Sequence, residues 1–168
     1  MLLQGTITNI KLSFKLLSPA ALDNRKNEKY EMSKVKNIEI IKCCNFTFSF
    51  MSNRTFVNLT SCKSYVDIIV AINAFLCCVE NVQIIHSLKV DSISYLLSAK
   101  FYPLDVYASN EQFFIKTHPR FKGVTVKHKS SNVICNIFKS QKMVFMGLKS
   151  LKQLNPFISC IINVPNVK

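Results

Sequence analysis

The sequence predicts an α+β fold in which two pseudo-symmetric repeats form a curved antiparallel β-sheet with helices on one face. One pattern occurs twice: a strand ending in Phe, a polar turn with a basic residue, a second strand, and a short link to Lys-Ser. It runs from Phe50 to Ser64 and again from Phe138 to Ser150. An apolar, helix-like run follows each copy. Strands with alternating faces need helices on one side only, which leaves the other face of the sheet free.

In the first half, period-two alternation and turn signals predict strands over residues 6–16, 35–42, 46–51 and 55–59. Ser18 to Leu22 predicts a short helix, with Ser as the cap and Pro in the first turn. The charged stretch from Asp23 to Glu31 is predicted as a loop. Ser64 caps a helix that runs to about Cys77.

In the second half, the predicted strands are residues 79–88, 123–129, 133–138 and 143–146. Asp91 to Leu97 is predicted as a short helix, and Leu151 to Asn163 as the last helix, which Pro156 should shorten or kink. The same order of elements therefore occurs twice. We predict a first repeat over residues 1–77 and a second over residues 78–168, together forming one pseudo-dimeric domain.

Composition supports a globular chain that is not secreted. Of 168 residues, 49% are hydrophobic and 13 are Phe, which is enough to bury a substantial core. The best membrane-span candidate, Val66 to Val79, is shorter than the ~20 apolar residues that a span needs. The N-terminus lacks the pattern of a signal peptide, so the seven Cys are predicted to be reduced and mostly buried.

The charge is strongly positive and unevenly distributed. The formal net charge is +13, and no acidic residue follows Glu111. Such a field attracts a polyanion, which favours nucleic acid as the partner. A solvated basic surface and an anionic membrane are the alternatives, although no amphipathic basic helix supports the membrane.

The residues predict neither an enzyme nor a cofactor or metal site. Three Gly in the whole chain cannot form a phosphate-cradling loop. No pair of acids suggests general acid–base chemistry, and the Cys spacing does not suit zinc. Cys135 and His128 could be imagined as nucleophile and base, but in a hairpin they are better interpreted as a core thiol and a surface imidazole.

Residues 120–150 resemble the repeat signature of the TATA-box-binding protein family. Phe121 and Phe138 are 17 positions apart (138 − 121), as the family's pattern requires. Lys127 follows the first of them by six positions, and Lys142 follows the second by four. The first half carries a weaker copy. The resemblance implies a saddle whose concave sheet lies on the DNA minor groove and whose helices lie on the convex back.

The resemblance also implies which side chains contact DNA. In that family two Phe per half wedge between base steps; Phe121 and Phe138 match these positions, and Phe50 matches one in the first half. Ser33 stands at the fourth wedge position, where Val35 would serve if the loop is shorter. The basic positions that contact the DNA backbone in the family are matched by Arg120, Lys127, Lys129, Lys142, Lys149, Arg54 and Lys63.

The centre of the family's concave face carries polar side chains, of which this chain keeps few. Thr60 stands at one Thr position, and a slightly shifted alignment places Asn81 at one Asn position. Leu3, Cys77 and Met146 replace the others. The resemblance therefore implies minor-groove binding with altered specificity.

We expect a DNA-binding transcription initiation factor that acts as a monomer without cofactor, on AT-rich double-stranded DNA. It would act in the nucleus, or at the site of viral transcription, since Lys-, Asn- and Ile-rich usage suits a protozoan or viral lineage. Other initiation factors or RNA polymerase are the expected protein partners. Lys116 to Arg120 is basic where the family has an acidic patch for one such factor. The alternative is the same fold used as a protein-interaction module that has lost DNA binding.

Overall fold

The computed structural model describes residues 4–22, 30–51, 53–80, 83–98, 103–117 and 123–162. The chain packs as two compact units, Asn9–Asp91, and Ser92–Lys168 together with Met1–Thr8. Each unit has an antiparallel sheet with a helix packed on one face. The predicted combination of an antiparallel sheet with few helices is confirmed. The repeat boundary after residue 77 stays a prediction.

The elements in the first unit are β1 (Gln4–Leu16, through its residues 9–16), β2 (Ala21–Leu22), β3 (Tyr30–Val35), β4 (Ile38–Cys43), β5 (Phe46–Phe50), β6 (Phe56–Cys62), α1 (Tyr65–Cys78) and β7 (Val79–Glu80). The main sheet has the order β3-β4-β5-β6-β1, and its pairings are antiparallel. Strands β2 and β7 form a separate short ladder.

Helix α1 begins where the sequence predicted, because Ser64 and Asp67 form a capping box. The Ser64 hydroxyl accepts the Asp67 amide at 3.1 Å, and the Asp67 carboxylate accepts the amides of Lys63 at 2.7 Å and Ser64 at 3.1 Å. The backbone hydrogen bond from Lys63, with that from Ser64, lowers the pKa of Asp67. The helix packs on the sheet through a stripe at helical spacing: Ile68, Ala71, Phe75 and Cys78.

An aromatic cluster joins α1 to its sheet. The Phe75 ring lies 5.4 Å from Phe14, 5.1 Å from Phe48 and 5.9 Å from Phe50, measured between centroids. All four side chains are at most 2% exposed. The core of the first unit is therefore centred on Phe75.

The second unit contains β8 (Ile84–Ser98, through its residues 92–98), α2 (Leu104–Ala108), β9 (Phe113–Thr117), β10 (Gly123–His128), β11 (Ile134–Phe138), β12 (Lys142–Leu148), a 3-10 helix (Leu151–Leu154) and α3 (Asn155–Ile162). Its sheet has the order β8-β12-β11-β10-β9. Pro156 lies in the first turn of α3, after the 3-10 helix, so the predicted shortening of the last helix is confirmed.

Phe157 of α3 occupies the centre of the second core. Its ring lies 5.3 Å from Phe145 and 5.2 Å from Phe113, and it is fully buried. The Tyr107 hydroxyl donates to the Phe157 carbonyl at 3.0 Å, so α2 is tied to α3 as well as packed against it. The two cores thus follow one plan, with a Phe from the helix among Phe side chains from the sheet.

Several predicted elements are wrong. Residues 91–97 belong to β8 rather than to a helix, because Ile93 and Leu97 alternate with polar residues and pack into the core. Residues 18–22 form bends and β2. The strand predicted over residues 35–42 is a hairpin of β3 and β4, with Lys36 at a φ of 55° in the turn. Neither β9 nor α2 was predicted.

Candidate nucleic-acid interface

Alternation along β10, β11 and β12 gives the second unit's sheet two different faces. Val126, Cys135 and Phe145 lie opposite one another, are fully buried, and belong to the face that packs on α3. The residues between them point the other way, onto a surface that we call the open face. Two rows cross it: Lys116, Thr125, Asn136, Val144 and Leu96, and Phe114, Lys127, Ile134 and Met146.

The open face of the second unit is basic and apolar. Lys116, Lys127 and Lys142 are exposed, and Lys142 stands on this face by alternation with Val144. Strands β9 to β12 contain no acidic residue. No carboxylate on these strands therefore offsets the positive potential of the lysines. The structure thus brings two predicted contact residues, Lys127 and Lys142, onto one surface.

Lys129 lies at the edge of this surface and is held by an aromatic ring. Its ammonium is 5.1 Å from the centroid of Phe114, a cation–π contact, and its amide donates to the Gln112 carbonyl at 2.8 Å. Phe114 is 59% exposed. The sequence did not single out Phe114 because β9 itself was not predicted.

Phe138 ends β11 on the open face. It alternates with Ile134 and Asn136, pairs with Gly123, and is half-buried. This placement is compatible with a side chain that contacts a ligand at the end of the sheet. The proposed wedging role of Phe138 stays a prediction.

Phe50 is a correction, because it lies in the core. It is 2% exposed and packs against Phe75 of α1, so an exposed wedge at this position is wrong. Ladder register explains the error. Phe50 pairs with Val57 as Ile137 pairs with Met143, so Phe50 corresponds to Ile137 and not to Phe138. An offset of one residue moves a side chain to the other face of a sheet.

An exposed apolar group takes the place that Phe50 was expected to fill. Met51, which follows Phe50, is 50% exposed, and its amide donates to the Phe56 carbonyl at 3.5 Å. Phe56 is 38% exposed, and Val35 and Ile38, which pair across β3 and β4, are 55% and 39% exposed. We call Val35, Ile38, Met51 and Phe56 the apolar corner of the first unit. Among these the sequence had offered Val35 alone.

The open face of the first unit is more polar than that of the second. Two of its rows are Ser33, Ile40, Ser49, Asn58 and Ser13, and Glu31, Lys42, Thr47 and Thr60. Thr60, a predicted site residue, is half-buried opposite Thr47. Hydroxyl and amide groups therefore occupy positions that hold Val144 and Met146 in the second unit.

Arg54 forms an ion pair and does not stand free. Its guanidinium donates to the two carboxylate oxygens of Glu39 at 2.7 and 2.9 Å, a bidentate pair. The side-chain hydrogen bond from Arg54 lowers the pKa of Glu39, and that bond raises the pKa of Arg54. The predicted phosphate contact at Arg54 is therefore replaced by a role in holding the loop between β5 and β6.

We expect Arg54→Ala to lower the free energy of unfolding by about 1 kcal/mol or less, because the pair is partly exposed and solvent screens it. The lowered pKa of Glu39 means that this contribution is present above the ordinary value of 4.5 and is lost as pH falls through the folded-state pKa. Urea unfolding at pH 7 and pH 3 measures it. DNA affinity should change little, and a loss as large as that for Lys127→Ala would contradict the assignment.

Lys63 and Lys149 occupy equivalent links between a strand and a helical segment. Both are exposed, and both precede a capping serine. Each link follows a residue with positive φ, Ser61 at 78° and Gly147 at 81°. The predicted equivalence of the two Lys-Ser links is confirmed by this shared geometry. Phe121, Arg120 and Asn81 lie outside the described residues.

Buried thiols account for much of the cysteine content. Burial raises the pKa of Cys62 to about 11 and that of Cys43, which also contacts Cys78, to about 12; burial raises that of Cys135 further. In the described part of the chain, no three His, Cys, Asp or Glu side chains are grouped to hold a metal ion. Nor do those residues include a helix long and apolar enough to cross a bilayer.

We expect Cys44 and Cys77, which are exposed, to react quickly with a thiol reagent in the folded protein. Cys43, Cys62 and Cys135 should react only on unfolding, because burial holds them protonated and shielded. Since their pKa values are raised, the stability they contribute is present below about pH 9 and is lost as pH rises toward 11–12. Reagent titration with mass mapping checks this. Rapid labelling of Cys135 would contradict the packing of the second core.

Comparison with known proteins agrees with the fold. No protein-family model matches the chain, and no curated protein matches it by sequence. Among solved structures, Methanococcus jannaschii TBP is similar, with a TM-score of 0.66 and 19% sequence identity over 96% of this chain and 99% of that chain. The chain has a TBP-like fold. At this identity the likeness concerns the fold, while the side chains described above must carry any functional argument.

Proposed function

We propose that this protein is a DNA-binding transcription initiation factor that grips and bends duplex DNA with the open faces of its sheets in the minor groove. One observation carries the proposal. The second unit presents exposed lysines beside apolar rows on strands that bear no acidic residue. Lysines at the rim neutralise phosphates, and apolar side chains lie against the sugars of a widened groove.

The two open faces would contribute differently to recognition. In the first unit, Asn58 and Thr60 can donate hydrogen bonds to the acceptors on the floor of the groove. In the second unit, Val144 and Met146 offer no donor, so this half would respond to groove shape and deformability. We therefore propose a preference for AT-rich duplexes with weak base discrimination in the second half.

Bending would come from apolar side chains at the ends of the sheets. Phe138 is placed for this in the second unit, and Met51 with Phe56 in the first, where Phe50 is buried. Unstacking a base step costs a few kcal/mol, which the added contact with bent DNA offsets. Methionine and the half-exposed Phe56 form a softer wedge than a pair of Phe rings would, so the bend would be asymmetric.

The TBP-like fold supports a place in transcription initiation. We propose that the protein acts where its target genes are transcribed, in the nucleus or at a site of viral transcription, together with other initiation factors or RNA polymerase. The charge of the second unit limits which factor can bind there. Lys116 lies on β9, and the basic character of residues 116–120 favours an acidic partner over the basic one that an acidic patch would receive.

A salt-titrated binding assay with a fluorescent AT-rich duplex tests the proposal. The logarithm of the binding constant should fall linearly with the logarithm of salt concentration, with a slope of about −0.9 for each phosphate contacted. A GC-rich duplex of the same length is the specificity control, and a single strand is the control for binding by charge alone. Equal affinity for the single strand would contradict groove binding.

A second candidate, a TBP-fold protein-interaction module, is favoured by the apolar centre of the second open face. Leu96, Val144 and Met146 neighbour one another there, and Met146 is 37% exposed. Such a surface also suits an apolar protein partner. Absence of duplex binding at low salt, with the fold intact by circular dichroism, would select this function.

A further inference from the structure

Helix α1 carries a second apolar face that points away from its sheet. Its side chains include Tyr65, Val66 and Ile69, which are 64%, 67% and 62% exposed, and Val70 and Leu76, which are 49% and 41% exposed. The buried stripe of Ile68, Ala71, Phe75 and Cys78 lies on the opposite side. A helix that is apolar all round is ordinarily buried on all sides. The outer face of α1 therefore needs a covering partner.

The outer face has the spacing of a coiled-coil seam. Val66, Ile69, Asn73 and Leu76 follow one another at intervals of three, four and three residues, which is the a/d repeat. Val66 and Asn73 take the a positions, and Ile69 and Leu76 take the d positions. A single Asn at an a position specifies register and a two-stranded state, since its amide both donates to and accepts from its counterpart. This pattern is self-complementary.

Charge also fits a second copy better than another occupant. The chain carries 22 Lys and Arg, yet the outer face of α1 contains none, so two copies can approach through it without direct repulsion. The helix has 14 residues and Asp67 is its one charged side chain, half-buried in the capping box. An anionic membrane would be met by basic residues, which this face lacks.

We propose that α1 is a self-association surface through which two copies of this chain pair, with Asn73 of one copy against the same residue of the second. The seam is about 21 Å long for 14 residues. A strip of that length buries less than the roughly 1,600 Å² of a standard interface, so the dimer is weak, with a Kd in the micromolar range. The sheets keep their open faces free, so the surface operates independently of DNA binding.

Sedimentation equilibrium between about 1 and 200 µM, under reducing conditions, tests the pairing. We expect a monomer–dimer equilibrium for the natural chain and at least a tenfold weaker dimer for Ile69→Glu. Leu17→Glu, at a position that is 67% exposed outside α1, is the matched control and should leave the dimer unchanged. Lys127→Ala should also leave it unchanged, which separates α1 pairing from association through the sheet.

A cross-linking measurement reports the contact itself. With Cys44 and Cys77 replaced by Ser, Asn73→Cys should oxidise to a covalent dimer, whereas Ser159→Cys on α3 should not. A natural chain that stays monomeric at 200 µM overturns the proposal. So does an unchanged dimer in Ile69→Glu, or a monomer that instead binds lipid vesicles through Val66 and Ile69.

Discussion

Replacing Lys116, Lys127 and Lys142 by Ala is expected to weaken binding to an AT-rich duplex by about 100-fold at physiological salt. All three are exposed on the open face of the second unit, and β9 to β12 carry no acidic residue that would already neutralise them. Each phosphate contact that is lost should reduce the salt slope by about 1, so the triple variant should lose about 3. Fluorescence anisotropy at several salt concentrations measures both quantities.

A matched charge change elsewhere separates local contact from net charge. Lys152→Ala removes the same single charge from the 3-10 helix beside α3, where Lys152 is exposed. Its salt slope should stay that of the natural chain, whereas Lys127→Ala alone should lose about 1. Equal effects of Lys152→Ala and Lys127→Ala would mean that binding follows total charge, and would contradict a contact surface on the sheet.

Phe157→Ala is expected to lower the free energy of unfolding by about 3–5 kcal/mol, which is a large share of the stability of a small domain. The ring is fully buried and contacts Phe113, Phe145 and Tyr107, so its removal leaves a cavity in the second core. The carbonyl that accepts the Tyr107 hydroxyl belongs to the backbone and remains. The loss therefore reports packing alone. Urea unfolding followed by circular dichroism measures it.

Ile162→Ala in the same helix is the control for Phe157→Ala. Ile162 is 60% exposed, so its replacement should change stability by about 0.5 kcal/mol or less. A loss of that small size for Phe157→Ala would show that α3 does not close the second core. Destabilisation by Phe157→Ala without loss of native signal in the first unit would show that the two units unfold separately.

Local chemistry predicted the elements that carry their own signals. The capping box of Ser64 and Asp67 marks α1 without any tertiary contact. Strands β10 to β12 could be predicted because alternation, polar turns and the family's spacing agree there. The links at Lys63 and Lys149 follow from the same repeat. Of the predicted contact residues, Lys127 and Lys142 lie together on the open face.

Tertiary pairing decided what the sequence could not. Residues 91–97 have a cap-like start, yet they form part of β8 because pairing with β12 buries Ile93 and Leu97. Phe50 could not be assigned to a face without the ladder register, since one residue separates it from the exposed Met51. The pairing of Arg54 with Glu39 depends on a contact 15 residues apart. Each error concerns a partner that is distant along the chain.

Bending of a duplex labelled with donor and acceptor dyes at its two ends tests the central claim most directly. The account predicts that the natural protein raises energy transfer on an AT-rich duplex. It also predicts that Met51→Ala combined with Phe138→Ala reduces the rise while salt-dependent binding through the lysines remains. A duplex that is bound without any change in energy transfer, or a double variant that bends it as much as the natural chain, would contradict the account.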